Sequence, residues 1–176
     1  LPFPNGDITA PLTTPQNITF GLAYMPKKDL TVTADFQYVG WSSYDKLEVT
    51  FATYDLDLNP ANGQQNVSTA KREYQNTFIV RGGMEYTMTD NLQLRCGLFY
   101  DKNPVKTEFV EPTLPDADRV GFNVGFGGKL TDKLGIDFSY LFLSFKDRKV
   151  TGSIYNFNGT YSSSAHLFGF NLSYSL

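Results

Sequence analysis

The sequence predicts an all-β fold, an antiparallel transmembrane β-barrel, on three observations. Apolar and polar residues alternate with a period of two along most of the 176 residues. Connections alternate between tight and long, and ionised residues keep to the face opposite the rings. Aromatic residues make up 15% of the chain while all hydrophobic residues together reach only 41%, so rings are dealt out alternately with polar groups. Helical periodicity is weak throughout, and no run of about 18 apolar residues marks a helical span. A barrel strand needs only about 9–11 residues with every second one in lipid.

The strands follow in chain order, after a short candidate at residues 6–10. Residues 17–25 set Ile18, Phe20, Leu22 and Tyr24 against Asn17, Thr19, Gly21 and Ala23. Residues 30–44 set Leu30, Val32, Ala34, Phe36 and Tyr38 against Thr31, Thr33, Asp35 and Gln37. Residues 74–88 oppose Phe78, Val80, Met84 and Tyr86 to Thr77, Arg81, Gly83 and Glu85. In 92–101, Leu92, Leu94, Cys96, Leu98 and Tyr100 face away from Gln93, Arg95 and Gly97. Residues 119–130 and 134–145 continue the pattern with Val120, Phe122, Val124, Phe126, Leu134, Ile136, Phe138 and Tyr140. The chain closes on Phe168, Phe170, Leu172, Tyr174 and Leu176 against Gly169, Asn171, Ser173 and Ser175. About eight strands are therefore expected.

Residues 26–29, 89–91 and 131–133 are tight polar turns, whereas 52–73, 102–118 and 146–164 are long polar segments. Short turns at one end and long loops at the other are the outer-membrane barrel pattern, with the long loops outside the cell. A water-soluble barrel or sandwich would turn its apolar face inward and show charge outside. Here the ring-rich face is too bulky for a small barrel's interior. Tyr24, Tyr86 and Tyr174 sit just inside the short-turn end, where an interfacial girdle belongs. The lipid bilayer of a bacterial outer membrane is the expected environment. The first residue is Leu1 with no leader before it, so a mature form or a fragment is expected.

A net charge of −3 gives no reason to expect nucleic acid as a partner. One Cys and one His, Cys96 and His166, make no credible soft-ligand metal site, and no nucleophile–base pair is evident, so neither an enzyme nor a cofactor is expected. The loop carboxylates Asp55, Asp57, Glu108, Glu111, Asp116 and Asp118 are read as solvated surface rather than a Ca²⁺ site. The informative feature is apolar residues on the otherwise polar inner face. Alternation carried upward puts Val39, Trp41, Ile79, Phe99, Leu141, Leu143, Phe145 and Leu167 there, towards the long-loop ends of their strands. A general porin has no use for that surface, whereas a site for hydrophobic small molecules needs it. Arg81, Arg95 and Arg119 share that face and can bind a carboxylate bidentately, or pair instead with Asp35, Glu85 and Asp101.

Four segments carry a family resemblance: Tyr38-Val39-Gly40-Trp41-Ser42-Ser43-Tyr44, Tyr100-Asp101-Lys102-Asn103-Pro104-Val105, Leu114-Pro115-Asp116-Ala117-Asp118-Arg119 and Ser164-Ala165-His166-Leu167-Phe168-Gly169. Over essentially its whole length the chain resembles the C-terminal half of the FadL/TodX family, outer-membrane transporters of long-chain fatty acids and aromatic hydrocarbons. The resemblance implies a barrel of about fourteen strands, plugged by an N-terminal hatch and passing apolar ligands by passive diffusion. Residues 1–176 would be the C-terminal part of that single domain, lacking the hatch and first strands. Leu176 stands where such barrels usually end in Phe, though the apolar terminal strand still suits the barrel-assembly machinery. Asn59-Pro60-Ala61, similar to a hatch motif, is taken as coincidence because it lies in a polar loop. The competing expectation is a small structural or adhesion-type barrel, closed by eight strands and filled by its own side chains without a channel.

Overall fold

Rings or branched aliphatics alternating with small or polar residues suit a pleated strand with two unlike faces, and each such run forms one. The computed structural model describes residues 6–53, 56, 66–113 and 115–175. Leu114, Leu176, Asp55, Asp57 and the Asn59-Pro60-Ala61 motif lie outside the described residues. In chain order the strands are β1 (Ile8–Thr9), β2 (Gln16–Lys27), β3 (Leu30–Gly40), β4 (Lys46–Phe51), β5 (Val67–Lys71), β6 (Thr77–Thr89), β7 (Leu92–Asp101), β8 (Arg119–Lys129), β9 (Leu134–Phe145), β10 (Arg148–Val150), β11 (Gly159–Tyr161) and β12 (Ser164–Tyr174).

Seven of them form one antiparallel wall in the order β12-β9-β8-β7-β6-β3-β2. Consecutive wall strands are always neighbours, as an up-and-down barrel requires. β2 and β12 are its edges, and among the described residues neither pairs on its far side. The short first candidate is a strand, but it leaves the wall: Ile8 pairs with Phe51 of β4 in a separate sheet of order β1-β4-β5. Another small hairpin, β10–β11, stands on the third long loop. Apart from β1, which precedes β2, the strands of both small sheets belong to segments joining the long-loop ends of wall strands. Stretches legible only as polar loops thus contain regular structure of their own.

The strand expected through residue 44 stops at Gly40. A 3-10 turn at Trp41–Ser43 follows, closed by the Tyr44 N–H donating to the Trp41 carbonyl at 2.9 Å. Ser43 Oγ donates to the Gly40 carbonyl at 3.1 Å, and Asn76 Oδ1 accepts from the Ser42 N–H at 2.9 Å. Local polar partners outcompete the sheet ladder there.

Register gives the two faces. Phe20, Phe36, Val80, Tyr100 and Val120 form one cross-strand row, and Tyr24, Val32, Met84, Cys96, Val124, Tyr140 and Phe168 another. These rows are the outer face, and Phe20, Phe168 and Phe170 stand 67–72% exposed on it. Side chains of that size left bare in a row are accounted for by lipid, not water. The buried apolar side chains lie elsewhere. Val105, Phe109, Val110 and Val150, flanked by Tyr74 and Tyr161, pack in the connections at the long-loop end. The wall holds no core of that kind; the loop cap does.

Candidate functional site

The inner face meets the loop cap at a cavity of about 750 Å³. β3 and β6 supply Val39 and Ile79, alternating inward, and the 3-10 turn adds Trp41. Breaking the strand after Gly40 swings Trp41 out of the sheet and into a cluster of rings. Its centroid lies 5.8 Å from that of Tyr74 and 6.4 Å from that of Tyr44, and the two tyrosines meet edge-on at 5.1 Å. Edge-to-face arrangements of this kind are the favoured geometry for aromatic side chains. Leu12, Pro15, Pro104, Val105 and Phe109 add to the apolar lining.

Charge around the cavity is paired within the chain. Arg119 donates from Nη2 and Nε to one Asp101 oxygen at 2.6 and 2.9 Å, and lies 3.7 Å from Asp116. Arg72 pairs with Glu111 at 2.5 Å. The lining therefore has three carboxylates, Asp101, Glu111 and Asp116, against two guanidiniums. Burial pushes the Asp116 carboxyl above its ordinary value, although Arg119 and the Ala117 N–H pull the other way. Burial also raises the Tyr74 phenol, so that ring stays neutral. Arg148 pins two loops together, donating to the Val105 and Asp116 carbonyls at 2.5 and 2.6 Å; burial pushes it below the usual guanidinium value.

Of the residues expected to form one apolar cluster, the structure brings Val39, Trp41 and Ile79 together in the cavity. Phe99, Leu141, Leu143 and Leu167 are on the inner face but do not line it. Phe99 lies opposite Arg81, Leu143 opposite Gly121, and Leu141 opposite Leu167. Alternation tells which face a residue takes, not how far round the wall it sits. β9 stands four strands from β3, about 19 Å along the sheet at the usual spacing. Among the three arginines, only Arg119 reaches the cavity. Arg81 donates to Asp35 at 2.6 Å and to Gln37 at 2.5 Å, and Arg95 pairs with Glu85 at 2.7 Å and with Asp137 at 3.0 Å. Each of the three carboxylate pairings open to these arginines is therefore formed. His166 sits on the outer face, its Nδ1 hydrogen-bonded to the Tyr140 hydroxyl at 2.8 Å and its ring 4.9 Å from Phe142.

Sequence reasoning missed the loop contributors Leu12, Tyr44, Arg72 and Tyr74, and it read Glu111 and Asp116 as solvated surface, whereas both line the cavity, Glu111 paired with Arg72 and Asp116 largely buried. Loops carry no period, so only composition could have flagged them. Two tyrosines flanking a polar hairpin were the one usable signal.

Comparison with known proteins places these features. The family model described as outer membrane protein transport protein (OMPP1/FadL/TodX) matches residues 4–176. The chain is 29% identical to outer membrane protein P1 of Haemophilus influenzae, over 97% of this chain and 37% of that protein. Its fold is similar to that of a Pseudomonas aeruginosa FadL homologue, with a TM-score of 0.78 at 22% identity over 96% of this chain and 37% of the other. The Pseudomonas putida toluene transporter TodX superposes with a TM-score of 0.63 at 20% identity, over 96% of this chain and 36% of its own. The chain thus spans little more than a third of the length of the relatives it matches. With the family model matched from before β1 to beyond β12, the chain belongs to the OMPP1/FadL/TodX family of outer-membrane transport proteins.

Proposed function

We propose that this chain forms the C-terminal wall and part of the outer mouth of a barrel of about fourteen strands that lets hydrophobic compounds across the outer membrane by passive diffusion. The observation that carries the proposal is the cavity: Val39, Trp41 and Ile79 beneath a ring-lined loop cap, on the face turned away from lipid. A chamber of about 750 Å³ lies within the usual size for small-molecule sites. The two open edges, β2 and β12, support closure through further strands, because bilayer hydrocarbon leaves no partner for bare strand edges. β12, with Phe168, Phe170, Leu172 and Tyr174 all outward, is the segment we assign to the barrel-assembly machinery.

Charge favours uncharged ligands over acids at this chamber. Its two guanidiniums already serve carboxylates of the chain, and a further carboxylate would meet a lining with one negative charge in excess. Arg81, Arg95 and Arg119 therefore act in this proposal as wall ties, and the bound molecule is held by apolar contact. The test is uptake of an aromatic hydrocarbon and of a long-chain fatty acid by cells carrying the full-length protein, with Trp41→Asp and Leu141→Asp compared with the parent. Trp41→Asp is expected to lower hydrocarbon uptake about tenfold or more, since it places an unpaired carboxylate among rings. Leu141→Asp, away from the cavity, is expected to lower it less. Parental uptake in both variants would remove the pocket assignment.

A further inference from the structure

Below the cavity the inner wall is cleared by glycines over which neighbouring side chains lie. A Cβ on Gly83 would stand 2.9 Å from Thr33 Oγ1, and one on Gly97 would stand 3.0 Å from Asn123 Nδ2. At Gly127 it would overlap Asp137 Oδ1 and come 2.8 Å from Arg95 Nη1, so the Arg95–Asp137 pair crosses β8 only because residue 127 has no side chain. The bulkiest group treated this way is Phe99. It pairs in register with Gly121, and a Cβ there would overlap ring atoms Cε1 and Cζ and come within 2.8 Å of Cδ1. The ring therefore lies across β8 and does not project freely into the interior.

Its position along the strand gives this seat a consequence. Asp101, two residues up β7, lines the cavity together with its register partners Ile79 and Arg119. Gly97, two residues down, faces Gly83. Arg81 beside the ring is drawn towards β3 by Asp35 and Gln37. Phe99 thus stands at the step between the lined chamber and a stretch of wall floored by glycine. Because overlap with a Cβ leaves the ring no room at residue 121, any side chain there must displace it from its seat on β8.

We propose that Gly121 is a positioning residue for transport: it seats the Phe99 ring against the wall and so sets the width of the passage directly below the cavity. The inference rests on the transport proposal, and its experiment separates the two. Full-length protein carrying Gly121→Ala, Phe99→Ala or both is reconstituted in lipid vesicles, with folding checked by heat-modifiable gel mobility. Equilibrium binding and flux of a monoaromatic hydrocarbon are measured alongside. Gly121→Ala is expected to cut flux about tenfold while binding stays within about twofold, and Phe99→Ala in the same chain is expected to restore flux. Parental flux in Gly121→Ala, or a double variant as slow as the single one, overturns the proposal. Should Gly121→Ala fail to assemble, Phe99→Ala alone decides: faster passage of bulkier aromatics supports the seat, and an unchanged size limit rejects it. Parental protein that conducts no better than empty vesicles would sink the transport proposal instead. In that event a crystal structure of Gly121→Ala, or of Phe99→Ala where the former does not assemble, still tests the seat. A ring lifted from β8, or β8 closing into the space the ring vacated, supports it; a ring still over residue 121, or an unmoved β8, refutes it.

Discussion

The wall and the loop cap are built on opposite principles. The wall has seven strands with rings outward, an inner face of ion pairs and glycines, and no packed interior. The cap has little regular structure, yet it holds most of the buried apolar side chains among the described residues, Val105, Phe109, Val110 and Val150 among them. The wall draws stability from a continuous hydrogen-bond ladder and from lipid, which demands only that every second residue be apolar. The cap stands in water and must bury a small core as a soluble domain does. One chain therefore obeys two sets of rules, and substitutions distinguish them.

The largest effect is expected in the cap. Phe109→Ala removes a ring that is 7% exposed and packed beside Val110 and Val150, a truncation that costs about 3–5 kcal/mol in a packed core. That loss should appear as rapid proteolysis of the long loops, with the wall still folded by heat-modifiable mobility. Loss of the barrel along with the loops would show that cap and wall are one cooperative unit. The wall should respond to direction more than to size. Val124→Arg puts a charge mid-strand on the outer face and is expected to cost about 2–4 kcal/mol in vesicles. Asn123→Arg, one residue away on the inner face, should cost much less by urea unfolding of the same preparation. Equal costs would mean that the faces are wrongly assigned.

The smallest effect is a pH dependence confined to the cap. Burial acts to raise Asp118, but donation from the Asn103 N–H, the Asn103 side chain and the Tyr100 hydroxyl outweighs it and holds the carboxyl below its ordinary 3.8. Its stabilisation is present above the unfolded value and is lost as pH falls through the folded one. Asp116, raised by burial, has the opposite sign: its contribution is full below the unfolded value and disappears as pH rises through the folded one. At pH 7, Asp118→Asn should therefore speed proteolysis of the cap and Asp116→Asn should slow it. On acidification the Asp116 difference should vanish once pH falls below its unfolded value, and the Asp118 difference only once pH falls below its depressed folded value. A shift of the same sign in both variants would contradict the two assignments.

How much was legible beforehand follows the same division. Phe20, Val80, Phe122 and Phe168 announced the outer face because period two is a local property of the strand. The tight turns announced the hairpins, and opposite charges on successive strands announced the pairs Arg81–Asp35, Arg95–Glu85 and Arg119–Asp101. The cap stayed hidden. β4 and β5 pair across a long insertion, and β1 joins them from before the wall begins, a contact that no local pattern carries. Trp41 was placed on the inner side by alternation and reaches the cavity by another route, the turn that breaks the strand after Gly40.

By itself the sequence determined which residues meet lipid and which do not, because in a pleated strand that depends only on the parity of position. The tertiary structure alone decided which inner residues share a chamber. Four strands' breadth of wall separates Val39 from Leu143, and packed loops bring Tyr74 and Arg72 to Trp41 across thirty or more intervening positions. Face is set one residue at a time; a cavity exists only where distant segments converge.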